Sequence, residues 1–213
     1  MIVKSARPIQ SIPVAAGHLC GLTWFRGLLW YSDASLNQIR GIDVVTSSIV
    51  RQLPCPDVRT GLTWVDTNLV QVVGSSGKRA LLFIDVETGA TRRELPDPRS
   101  EGELCGIESG DHGLWMGYKN PNVLELRSLP EAKCIESIPL PSPPAGVTKV
   151  GELIAFADYQ QGQIHLVDRT QKAIITTVKV TGNPTGLTWT GSHLWYCDYQ
   201  NAQLRSIEYM TSS

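Results

Sequence analysis

An all-β fold, a ring of five four-stranded blades closed by the N-terminal strand, is what this sequence predicts, and three observations predict it. The tetrapeptide Gly-Leu-Thr-Trp occurs at Gly21–Trp24, Gly61–Trp64 and Gly186–Trp189, with weaker copies beginning at Gly106 and Gly146. Successive marker glycines are separated by 40, 45, 40 and 40 residues, and a fixed period near 40 marks a repeat architecture. Within each period, short β-branched and aromatic runs are broken by Gly, Asn, Asp and Ser, and no segment carries a helical period. The last period is one strand short, and a segment that can supply it precedes the first marker. Four strands in about 40 residues is the blade of a β-propeller. A parallel β-helix needs shorter coils, and a sandwich does not keep a constant period.

The elements of the first period are strands over Leu19–Trp24, Leu28–Ser32, Gln38–Val45 and Ile49–Leu53, separated by turns at Phe25–Gly27, Asp33–Asn37 and Thr46–Ser48. The last period repeats the order with Gly186–Trp189, Leu194–Cys197 and Gln203–Tyr209. Residues from about 5 to 15 stand at the same distance before Gly21 as the Thr170–Lys179 strand stands before Gly186. They are expected to complete the last blade and so remove an exposed sheet edge. Glycine opens the innermost strand because space is tightest at the axis. Six tryptophans, Trp24, Trp64 and Trp189 with Trp30, Trp115 and Trp195, are expected to fill the wedges between blades.

With 213 residues the chain is ample for one domain; its net charge is −1 and no basic stripe is present, so nucleic acid is not an expected partner. No apolar run approaches the roughly 18 residues a membrane span needs. Met1–Pro8 has no apolar signal region, so the cytoplasm is the expected compartment. The five cysteines, odd in number and without Cys-x-x-Cys spacing, point to buried free thiols rather than disulfides or zinc.

A site on such a ring is expected at the channel mouth formed by two loop sets, one leading into each innermost strand and one joining second and third strands. Twelve residues beyond the marker glycines stand Asp33, Val73, Tyr118, Asp158 and Asp198. Asp33, Asp158 and Asp198 are either ligands for a hard cation, Ca²⁺ or Mg²⁺, or caps of their own turns. Glu108 stands where the other blades have Thr23, Thr63, Thr148 and Thr188. It is either a catalytic acid or base with a raised pKa, or a departure of the third blade that pairs with Arg59 or Lys149. His18 is the histidine nearest a lead-in loop and the second catalytic candidate. Arg59, Glu103, Tyr118, Lys119, Tyr159, Tyr199 and Asn201 are the candidates for substrate contact. No nucleophile elbow, dinucleotide motif or P-loop is present, since Gly74–Lys78 lacks the spacing and the following helix.

The Gly-Leu-Thr-Trp, Leu-Trp-Tyr-x-Asp-Tyr-Gln-Asn and Ile-Asp motifs resemble the broad propeller group of streptogramin lyases, gluconolactonase-like lactonases and glutaminyl cyclases. The resemblance covers the whole chain at the level of blade motifs, and it implies a propeller. The lactonase-like members would make Asp158 or Asp198 and Asn120 loose analogues of metal ligands. The plant-type cyclases share five blades and carry Glu directly before such a glycine; here those positions are Cys20, Thr60, Cys105, Ala145 and Thr185. Three functions follow as expectations: a lyase, cyclase or hydrolase acting on a small molecule at the channel mouth, a sugar- or small-ligand-binding module, and a scaffold whose rim binds a protein.

Overall fold

The structure is a computed structural model that describes residues 2–208. It contains no helix among them; twenty-one strands form five sheets arranged as a ring. The first blade is β3 (Leu19–Phe25), β4 (Leu28–Asp33), β5 (Gln38–Asp43) and β6 (Ser48–Pro54). The second is β7 (Val58–Val65), β8 (Asn68–Val73), β9 (Ala80–Asp85) and β10 (Thr91–Pro96), and the third is β11 (Glu103–Gly110), β12 (Gly113–Lys119), β13 (Val123–Arg127) and β14 (Cys134–Pro139). The fourth is β15 (Val147–Val150), β16 (Leu153–Asp158), β17 (Gln163–Asp168) and β18 (Ala173–Lys179). The fifth is β19 (Pro184–Trp189), β20 (Leu194–Asp198) and β21 (Gln203–Glu208), completed by β2 (Arg7–Pro13). Within each blade the strands pair antiparallel in chain order, innermost to outermost.

The predicted closure holds. Strand β2 pairs antiparallel with β21, with Ile12 opposite Leu204 and Ser11 opposite Arg205. The predicted end of that last strand, Tyr209, lies outside the described residues. The sequence did not foresee β1 (Ile2–Ser5), which pairs parallel with β18 and gives the fourth blade a fifth strand. The chain therefore lies along the outer edge of two blades before it enters the first.

The marker glycines do what the axis demands. A Cβ on Gly21 would sit 2.4 Å from the Leu62 nitrogen, one on Gly61 2.6 Å from the Ile107 nitrogen and one on Gly106 2.7 Å from the Val147 nitrogen. On Gly146 it would fall 2.0 Å from the Thr185 oxygen, and on Gly186 2.6 Å from the Cys20 oxygen. Each glycine thus abuts the innermost strand of the next blade, and the fifth abuts the first.

Away from the axis there is no single core. Five apolar clusters fill the five blade interfaces, such as Phe25, Trp30 and Ile39 of the first blade against Leu62 and Leu82 of the second. Ile12, Leu204 and Trp195 of the fifth blade meet Leu22, Leu29 and Tyr31 of the first in the same way. The tryptophans divide into two sets. Trp30, Trp115 and Trp195, each on the second strand of its blade, are buried as expected. Trp24, Trp64 and Trp189 are not buried: they end the innermost strands on the face opposite the lead-in loops, and Trp64 is 36% exposed and stacked on Phe25 at 5.0 Å. The five cysteines are free thiols, four buried and Cys134 exposed.

Ring closure by β2 predicts a contrast within one strand. Ile12 is buried in the interface between fifth and first blades and Ile9 is 46% exposed. In urea unfolding, Ile12→Ala is expected to cost about 2–5 kcal/mol, and Ile9→Ala no more than about 0.5 kcal/mol. Equal effects would contradict the closure.

Candidate functional site

Both expected loop sets meet at one mouth of the channel, around a cavity of about 250 Å³. All five residues that precede the marker glycines, Cys20, Thr60, Cys105, Ala145 and Thr185, line it. His18 enters from the lead-in loop of the first blade, Arg59 from the start of β7, Lys119 and Asp158 from the ends of β12 and β16, and Tyr159 and Gln160 from the loop after β16. Pro143 and Pro144, in the lead-in loop of the fourth blade, complete an apolar wall with Ala145 and Leu19. Burial pushes the Cys20 thiol up to about 12 and raises Cys105 as well, so both stay protonated and line the cavity as small apolar groups.

Strand alternation sets which residues at this end of the second strands are exposed, although Asp158 also touches the cavity. The residues twelve beyond the marker glycines, Asp33, Val73, Tyr118, Asp158 and Asp198, are all at most 7% exposed. Those one position later, Ala34, Gly74, Lys119, Tyr159 and Tyr199, are all more exposed. A step of one residue moves a side chain to the other face of a strand. Tyr118 is accordingly not a substrate contact. It is 0% exposed in the interface between second and third blades, where its hydroxyl donates to Asp97 at 3.1 Å.

The three aspartates serve their own blades. Asp33 accepts from the backbone N–H groups of Gly17, His18 and Ser35 and from the Ser35 hydroxyl, and so holds the lead-in loop that carries His18. Asp198 accepts from Asn201 and from Arg205 Nε at 2.7 Å, and its carboxylate lies where a Cβ on Gly182 would be. Asp158 accepts from the Gln161 N–H at 2.9 Å, and its other oxygen lies 3.8 Å from His165 Nε2. Among the described residues no three His, Cys, Asp or Glu side chains come together as a metal-ligand group. Of the two readings of Asp33, Asp158 and Asp198, the hydrogen bonds show the turn cap in each blade, with one Asp158 oxygen left beside His165 at 3.8 Å. Asn201 belongs to the same cap: its Nδ2 donates to Asp198 at 2.8 Å, and it is not part of the cavity wall.

Glu103 is engaged too. It pairs with Lys119 at 2.7 Å and with the buried guanidinium of Arg79, which also reaches the Leu104 carbonyl. The sequence reading missed Arg79, whose position before a β-strand gave no sign of an inward side chain. Arg59 is different. It is exposed at the cavity wall and has no hydrogen bond or ion pair among the described residues. On the other side, His18 meets Tyr199 edge to face at 5.0 Å, and Tyr159 meets Tyr199 in the same manner at 5.8 Å.

Glu108 is not at this mouth. It lies further along β11, outside the cavity wall. There the threonines form inter-blade ties: Thr188 Oγ1 accepts from the Trp24 N–H at 2.9 Å, and Thr63 Oγ1 from the Ser109 N–H at 3.0 Å. Thr63 Oγ1 donates to the Glu108 carboxyl at 3.4 Å, and the carboxyl lies beside Lys149 of the fourth blade. Glu108 thus stands at the blade interfaces and not on the wall of the mouth.

No protein-family model and no curated protein matches the sequence. Solved structures do match its shape. A glutaminyl cyclase of Myxococcus xanthus superposes with a TM-score of 0.81 over 97% of both chains at 12% identity. A PQQ-bound aldose sugar dehydrogenase of Streptomyces coelicolor gives 0.61, covering 96% of this chain and 98% of that one at 11% identity. A streptogramin B lyase gives 0.55, covering 95% and 70% at 18% identity. What this chain shares with them is the propeller fold.

Burial pushes the Glu108 carboxyl from 4.5 up to about 8, against the hydrogen bond from Thr63 and the Lys149 charge. The folded chain then holds a proton there that the unfolded chain has released, so this contribution is complete below pH 4.5 and is lost as pH rises through about 8. Glu108→Gln, which keeps an acceptor for Lys149, is expected to gain stability over the unaltered protein as pH rises from 5 to 9, read by thermal unfolding at each pH. A constant difference across that range would show that the carboxyl is not held protonated.

Proposed function

We propose that this propeller binds a small organic anion in the axial cavity. One observation carries the reading: an exposed, unpaired Arg59 faces a hollow of about 250 Å³ whose remaining wall is largely apolar. Ligand sites are concave and mostly apolar, with a few convergent polar groups that fix orientation. The volume suits a compact molecule, being a little below the usual 300–1,000 Å³. An unpaired guanidinium beside Thr60 favours a carboxylate or phosphate, which it can grip with two N–H donors. Lys119 adds positive potential, most of it met by Glu103.

A catalytic version, a lyase, cyclase or hydrolase at this mouth, rests on His18. Its ring is exposed at the cavity and makes no hydrogen bond among the described residues, which leaves both nitrogens available for proton transfer to a bound molecule. The glutaminyl cyclase and lyase with the same fold are consistent with this version without carrying it.

A panel of small carboxylates and phosphate esters tests the binding by thermal shift. A ligand at a hundred times its Kd adds about 2.7 kcal/mol of stability, and Arg59→Ala is expected to abolish the shift without altering the unliganded melting temperature. A panel with no binder would refute the proposal. Turnover that survives in His18→Gln would remove the histidine from the catalytic version.

A further inference from the structure

The axial cavity has two differently charged sides, and the division follows the order of the blades. Arg59 of the second blade and Lys119 of the third stand on one side. Asp158 and Tyr159 of the fourth blade and His18 at the start of the first stand on the other, and Tyr199 of the fifth, just outside the cavity wall, meets both rings edge to face. On that second side the three rings are close to mutually perpendicular along the chain of contacts. His18 to Tyr199 is 76° and Tyr199 to Tyr159 is 72°, with centroids 5.0 and 5.8 Å apart. Tyr159 is 38% exposed and His18 is exposed, so their rings are not consumed by packing. Adjacent aromatic walls at steep angles make a corner that attracts a cation through the ring faces, quaternary ammonium groups above all.

A carboxylate stands at the same corner. Asp158 lines the cavity and is 3% exposed. Its neighbour His165 is a weak counter-ion, because burial lowers the His165 pKa and favours the neutral ring. The His165 Nδ1 is occupied by the Thr177 hydroxyl at 2.8 Å. The charge of Asp158 therefore remains to act on whatever enters.

We infer that the ligand of this cavity is a compact zwitterion, with an ammonium or quaternary ammonium group in the Tyr159–Tyr199–His18 corner beside Asp158 and an anionic group on Arg59. This rests on the reading of the cavity as an anion site and names the class of molecule that fills it. A sugar would be served by Tyr159 and Gln160, but it leaves the charges of Arg59 and Asp158 on the cavity wall unmatched. A simple fatty or aromatic acid satisfies Arg59 and leaves the aromatic corner and Asp158 unmatched.

Calorimetric titration of the full chain with trimethylammonio carboxylates of increasing length, glycine betaine first, tests the assignment. Each is paired with the isosteric acid that has carbon in place of nitrogen, 3,3-dimethylbutanoate for glycine betaine. The best betaine is expected to bind at least roughly tenfold more tightly than its carbon isostere. Tyr159→Leu, at an exposed position, is expected to bring that ratio close to one while the carbon acid binds as before, and Tyr199→Leu to do the same. Arg59→Ala is expected to weaken both members of each pair alike. Equal binding of betaine and isostere, or a ratio unchanged in Tyr159→Leu, overturns the zwitterion and leaves the anion site standing. Failure of every member of the series to bind overturns both.

Discussion

The whole molecule depends on how closely five backbones can approach one axis. Each marker glycine lies against the innermost strand of the following blade at distances that no Cβ tolerates, and the fifth closes onto the first. Because the gap left for a side chain is nil at all five points, the ring is fixed in diameter at the axis, and the blades can only splay outward from it. That splay makes the wedges that Trp30, Trp115 and the aliphatic clusters fill. It also places the residue before each glycine on the floor of the mouth, so that the same contact that closes the ring builds the base of the cavity.

The upper wall of that cavity is set by a second, smaller device. In three blades an aspartate at the end of the second strand turns inward and accepts N–H groups from the surrounding loops. In the fourth blade both Asp158 and the next residue, Tyr159, reach the cavity wall, whereas Asp33 and Asp198 are scaffold alone. The differences among blades are informative: Lys119 in the third blade gives one side of the hollow charge, and Tyr159 in the fourth, backed by Tyr199 of the fifth, gives the other side aromatic surface.

This explains what was legible in the sequence. Glycine spacing, turn chemistry and the short last period carry the number of blades, their strands and the N-terminal closure, since each is a local or periodic signal. Strand β1 was not legible: Ile2–Ser5 pairs with the edge of a blade far away in the chain, and nothing local distinguishes it from a tail. A cavity lies at the mouth where the loop sets were expected to meet, with His18, Arg59, Lys119 and Tyr159 on its wall. Tyr118 was misplaced by one residue, because period-two alternation inverts the face at every step and the strand ends are not marked that finely. Glu108 was singled out for breaking the repeat, and the departure is real. Of the two readings open for it, acid or base at the mouth or partner of Arg59 or Lys149, the structure places it beside Lys149 and off the cavity wall.

Strand β2 has a consequence for how the chain comes into being. Its partner lies at the far end of the sequence: Ser11 bonds to Gln203 across a separation of 192 residues. At synthesis rates of about 5–20 residues per second, β2 waits on the order of 10–40 s for β21 to emerge. During that interval four blades can form and Ile12 remains without its burial site. Until then the blade interface that receives Ile12 is incomplete, so the fifth blade cannot close before β21 is available.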